Sequence, residues 1–125
     1  MVEKLDAKSF KSLVFDFEAV KEWKYSGSMP CVIDFYADWC GPCRMVAPIL
    51  EDLSGEFDMK VKVYKVNTDH EQDLAVYFDI NTIPSILFVP MEGKPRMVVG
   101  ALSRSTFRKG FEMISKSRTI TGDFS

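Results

Sequence analysis

The sequence predicts an α/β domain, and three observations carry that prediction. Short apolar runs rich in β-branched residues alternate along the chain with stretches in which apolar residues recur every three or four positions, the strand and helix rhythms respectively. A cysteine pair, Cys40 and Cys43, falls where one such strand gives way to a helix. At 125 residues, 46% hydrophobic and 13% aromatic, the chain has the length of one domain and enough apolar mass to build a core.

The elements follow in order. From Lys8 to Tyr25 the residues Phe10, Leu13, Val14, Phe17, Val20 and Trp23 recur at helical steps, with Asp6 or Ser9 as a cap, which predicts one or two helical pieces. Tyr25 to Pro30 breaks that rhythm, and Cys31 to Ala37 reads as a buried strand. After the cysteines, Met45, Val46, Ile49, Leu50 and Leu53 define a helix from Arg44 to Phe57. Pro48 inside it removes one hydrogen bond and predicts a bend. Ser54-Gly55 and Asp58 close it, and Val61 to Val66 forms the next strand.

Asn67-Thr68-Asp69 reads as the cap of a short helix, Glu71 to Phe78, ending on Asp79 as a left-handed residue. Ser85 to Val89 and Arg96 to Val99, joined by the turn residues Pro90 to Pro95, predict an antiparallel hairpin that Gly100 ends. Ser103 caps a last helix with Phe107, Phe111 and Ile114 on one face, weakened by Gly110. Residues 1–125 therefore read as one domain, with 116–125 expected to fray.

Sixteen basic and eighteen acidic residues give a net charge of −2 with no basic block, which argues against nucleic acid as a partner. No stretch reaches the length of a membrane-spanning helix. Met1 to Asp6 lacks the basic-then-apolar pattern of a secretory leader, so the reading is cytoplasmic. A leader already removed is the alternative, which would make the protein periplasmic or otherwise exported.

The chemistry centres on Trp39-Cys40-Gly41-Pro42-Cys43. A helix start directs unpaired backbone N–H groups and the positive end of its dipole at Cys40, which favours a thiolate there. Cys43, three residues on, shares the helical face, so the sulfurs can bond without large backbone movement. Pro42 suits the first turn, and Gly41 leaves the approach to Cys40 open. The competing reading, half of a structural zinc site, needs four ligands. Only Cys31 and His70 remain to supply them, so the pair reads as redox chemistry, with Cys40 the exposed nucleophile and Cys43 the buried resolving thiol.

Asp34 interrupts the buried run six residues before Cys40. Burial disfavours its charged form and should raise its pKa, making it a suitable proton acceptor for a thiol; a merely tolerated polar group is the alternative. Cys31 reads as a small core residue, and His70, between Asp69 and Glu71, as a surface residue.

Residues 34–45, from Asp34 through Trp39-Cys40-Gly41-Pro42-Cys43 to Met45, resemble the thioredoxin family, as do the proline after the second cysteine, Ile83-Pro84 and Val99-Gly100-Ala101, all in family order. The likeness spans Cys31 to Ile114. It implies the thioredoxin fold, a central mixed sheet with helices on both faces, and a cis Ile83-Pro84 peptide beside the thiols. It also implies that Asp34 takes the proton of Cys43 through water and that Lys65 lies near that carboxylate and tunes it. On the residues alone Lys65 is equally a solvated strand charge. Trp39, Gly41, Pro42, Ile83, Pro84, Val99, Gly100 and Ala101 are implied as the groove that receives an extended substrate. Departures from the family are Tyr36 where it often has Trp, Asp79 where it often has Gly, and a slightly long turn at Pro90 to Pro95.

The function expected is reduction of protein disulfides by a monomer needing no bound cofactor or metal, recycled by a partner, in the family usually a flavin-dependent NADPH reductase (thioredoxin reductase). If exported, the same thiols would act as a disulfide donor with a membrane oxidase as partner. A binding subunit indifferent to its thiols is the alternative of another class.

Overall fold

In the computed structural model, described for residues 1–124, a five-stranded sheet orders its strands β1-β3-β2-β4-β5. These are β1 (Glu3–Lys4), β2 (Cys31–Tyr36), β3 (Lys62–Asn67), β4 (Ser85–Val89) and β5 (Arg96–Val99), with helices α1 (Ala7–Leu13), α2 (Gly41–Glu56), α3 (Gln72–Tyr77) and α4 (Arg104–Lys116). β1, β3 and β2 run parallel, while β4 is antiparallel to both β2 and β5. The sheet is therefore mixed, and the expected hairpin supplies its antiparallel half.

Side chains leave a strand on alternate faces, so β2 divides the core in two. Cys31, Ile33 and Phe35 join Phe10 of α1 and Leu74 of α3 on one face. Val32 joins Val46, Leu50 and Leu53 of α2 and Phe107, Phe111 and Ile114 of α4 on the other. Helices thus cover both faces, as the family resemblance implies.

Several local features match expectation. Asp6 and Ser9 form a reciprocal capping box at α1. Asp79 sits at φ 54° after α3, and the Ser103 hydroxyl accepts from Thr106 N at α4. Pro48 lies inside the continuous helix α2. Asn67 does serve as a cap, but of the turn before α3: its Oδ1 accepts from the backbone N–H groups of Asp69 and His70, whereas Glu71 begins the helix with no side-chain capping bond.

Gly110 differs from expectation in its role. A Cβ built there would lie 2.4 Å from the buried Phe88 ring, so the residue that weakens α4 intrinsically is what lets α4 approach β4.

One expectation needs correction. Helical structure before β2 is confined to α1, and residues 14–30 follow an irregular path. Val14 and Phe15 are consecutive yet both essentially buried, whereas consecutive helical residues point about 100° apart. The segment instead turns its rings onto one cluster, with Phe15 against Trp23 at 5.0 Å and Phe17 against Tyr77 at 5.1 Å. Aromatic burial prevails over helical rhythm here.

Of the stretch 116–125 expected to fray, Ser125 lies outside the described residues, and the residues before it make specific contacts with the rest of the chain. Arg118 O accepts from Glu92 N, and its guanidinium pairs with Glu92 at 2.7 Å. Arg96 donates to Gly122 O and stacks 5.2 Å from the Phe124 ring, which meets Phe88 edge-on at 4.7 Å. Phe124 is 3% exposed.

A Phe124→Ala variant is expected to lose about 1.5–3 kcal/mol of stability, the value of burying such a side chain. Urea unfolding measures this, and an unchanged midpoint would return the segment to a frayed state.

Candidate active site

The C-terminal ends of β2 and β3, the start of α2 and the loop before β4 meet at the cysteine pair. Cys40 is the N-cap of α2, with Gly41 and Pro42 as the first helical residues, both exposed. The Cys43 N–H donates to Cys40 Sγ at 3.2 Å. Cys40 and Cys43 are joined in a disulfide with Cα atoms 5.3 Å apart.

Exposure does not separate the cysteines as expected: Cys40 is 3% and Cys43 4% exposed. In the closed disulfide each sulfur covers the other, and Tyr36, Ala37 and Ile83 pack around both. The asymmetry lies in hydrogen bonding, since Cys40 is the sulfur that receives an N–H.

The Ile83-Pro84 peptide is cis. Cys40 Sγ lies 3.8 Å from the Ile83 carbonyl oxygen. Gly100 N donates to Pro84 O at 2.8 Å, which ties Val99-Gly100-Ala101 to the same loop. Val99 is 58% and Trp39 69% exposed. Of the eight residues expected to form a docking groove, Ile83 packs against the sulfurs, Pro84 is buried and tied to Gly100, and Trp39 and Val99 are exposed.

Asp34, two residues before Tyr36 on β2, is 4% exposed. It shares its face of β2 with Val32, the face that α2 covers. Burial pushes its carboxyl up to about 7, against a weaker downward pull from the charge of Lys65. Lys65 is its register partner on β3. The remaining cysteine, Cys31, is buried in the opposite core cluster, where burial pushes its thiol up to about 12. His70 is exposed on the surface.

Contacts that the sequence reading missed also hold the site. Trp39 Nε1 donates to Asp69 Oδ2 at 2.9 Å, and Arg44 donates to Asp38 O at 2.9 Å. Together they grip the turn before Cys40 from two sides. Asp69 was legible only as a cap residue, because its approach to Trp39 follows from the parallel register that sets Tyr36 beside Asn67.

The fold and site define a thiol-disulfide oxidoreductase. The thioredoxin family model matches residues 2–113. The thioredoxin of Borreliella burgdorferi is 44% identical over 107 residues, covering 86% of this chain and 92% of that protein. The thioredoxin of Synechocystis is 38% identical over 104 residues, 83% of this chain and 88% of its own. The crystal structure of chloroplastic thioredoxin z superposes with a TM-score of 0.78 at 25% identity, covering 93% of this chain and 96% of that one. The chain belongs to the thioredoxin family, and its activity is the reduction of protein disulfides.

The raised carboxyl has a consequence for stability. In the unfolded chain Asp34 releases its proton near 3.8, whereas the folded protein holds it until about 7. The folded state therefore binds the extra proton between those values, and stability falls as pH rises through that window. The total is roughly 4 kcal/mol, with no further loss above it. Urea unfolding of the oxidised protein is expected to show Asp34→Asn gaining on the wild type from pH 4 to pH 8 by about that amount. A pH-independent difference would contradict the assignment.

Proposed function

We propose that Cys40 is the attacking thiolate, Cys43 the resolving thiol and Asp34 the acceptor of its proton. The observation that carries this reading is the Cys43 N–H directed at Cys40 Sγ from a helix start. That donor and the helix dipole lower the energy of an anionic sulfur. With its carboxyl near 7, Asp34 is partly ionised at neutral pH and able to take a proton.

In the first step the Cys40 thiolate attacks one sulfur of a substrate disulfide. A Cys40–substrate bond forms, the substrate bond breaks, and the other substrate sulfur leaves as a thiolate. Cys43 then passes its proton to Asp34 and attacks Cys40 Sγ. The Cys40–Cys43 bond forms, the second substrate thiolate leaves, and both electrons now reside on the substrate. An NADPH-linked flavoprotein reductase (thioredoxin reductase) returns two electrons and two protons.

The docking rim we assign to Trp39, Gly41, Pro42, Ile83, Pro84, Val99, Gly100 and Ala101, with Lys65 acting on Asp34. Support for the rim comes from the exposure of Trp39 and Val99 and from the Gly100–Pro84 hydrogen bond that joins its two loops. An extended peptide can pair with backbone groups there. We further propose that residues 1–125 act as one domain, as a monomer in the cytoplasm. No helix among the described residues is long and apolar enough to cross a membrane.

Cys40→Ser is expected to abolish insulin-disulfide reduction, and Cys43→Ser to accumulate the mixed disulfide on a non-reducing gel. In single-turnover mixing at pH 7, Asp34→Asn is expected to slow mixed-disulfide resolution on the order of 10²-fold, the contribution usual for a positioned base. Its attack step should be little changed. Resolution at the wild-type rate in that variant would remove Asp34 from the mechanism.

A further inference from the structure

Tyr36 lies between the sulfurs and the lysine that faces the buried carboxylate. Its ring packs against the cluster of Ala37, Cys40 and Cys43. Lys65 Nζ stands 5.7 Å from the ring centroid, within the range at which an ammonium is attracted to an aromatic face.

Asp34 and Lys65 are register partners on neighbouring parallel strands, and Tyr36 is two residues beyond Asp34 on β2. All three side chains therefore leave the sheet on one face. Among the described residues, no ion pair within 4 Å joins Asp34 to Lys65, and Asp34 Oδ1 is buried without a hydrogen-bond partner. One ammonium thus has two possible partners, a ring and a carboxylate, and it is found with the ring.

Physical chemistry supports that choice. Pairing with Asp34 would require desolvating both charges, whereas the ring attracts the ammonium while leaving the carboxyl able to become neutral. The other groups facing Asp34 leave the lysine as the charge that acts on it. β4 sets the apolar Ile86 opposite, and α2 covers that face with the apolar Val46, Leu50 and Leu53.

We propose that Tyr36 is a positioning residue whose ring holds Lys65 away from Asp34, so that the carboxyl stays unpaired and available to receive the Cys43 proton. The proposal rests on the reading of Asp34 as proton acceptor. It also gives a physical role to a residue that departs from the tryptophan common at this position.

Carbon-13 NMR of the Asp34 side-chain carboxyl, followed across pH in the oxidised protein, tests it directly. Tyr36→Leu should free the ammonium to approach the carboxylate and lower the Asp34 midpoint by about one pH unit or more. Tyr36→Phe keeps the ring and should keep the midpoint. On a Lys65→Met background, Tyr36→Leu should add no shift. Should Tyr36→Leu fail to fold, Tyr36→Met, which is also ringless, carries the same expectations.

An unchanged or raised midpoint in the ringless variant would overturn the proposal. So would an equal shift with and without Lys65. The midpoint is read without catalysis, so failure of Asp34 as the base, detected by unaltered resolution in Asp34→Asn, is distinguishable from failure of the tuning.

Discussion

Strand β2 has a neighbour on each side, β3 running parallel and β4 antiparallel, so neither of its edges faces water. Five of its six residues are buried and the sixth partly so. Two ladders fix its register, and register decides which face each side chain takes. A slip of one residue against β3 would send Asp34 into the core with Phe10 and Leu74, and Ile33 and Phe35 beneath α2. The placement of the carboxylate on the face that α2 covers is thus a property of the sheet as much as of the residue.

The rest of the site is assembled at the C-terminal end of that strand. The chain turns through Asp38 and Trp39 and enters α2 at Cys40, and the turn is gripped by Arg44 from α2 and Asp69 from the segment after β3. From the other side, the loop before β4 brings Ile83 to the sulfurs, while a hydrogen bond to Gly100 keeps the end of β5 alongside. Anchors come both from α2 and from the turns that flank the strands.

Features set by local chemistry were legible in the sequence: the buried run of β2, the capping residues Asp6 and Ser103, the left-handed Asp79, and the cysteine spacing. Features set by packing between distant segments were not. Nothing near residue 124 announces that Phe124 will meet Phe88, and nothing in the rhythm of residues 14–30 says that their rings converge with Tyr77 and Phe78 in place of forming a helix. The pairing of Lys65 with Tyr36 depends on a β2–β3 register that only the fold supplies. Gly110 was legible as a weak helix residue and illegible as a contact, since its value lies in the ring it admits.

The amide of Cys43 that points at Cys40 Sγ also bears on reduction potential. A donor that stabilises the Cys40 thiolate stabilises the reduced protein, and a stabler reduced form is a weaker reductant. For a two-electron couple, about 1.4 kcal/mol of such stabilisation raises the potential by about 30 mV. The helix start therefore sets nucleophilic readiness against driving force. A stronger cap would enlarge the thiolate fraction at Cys40 while making each thiolate a weaker nucleophile and leaving the equilibrium less willing to open a substrate disulfide.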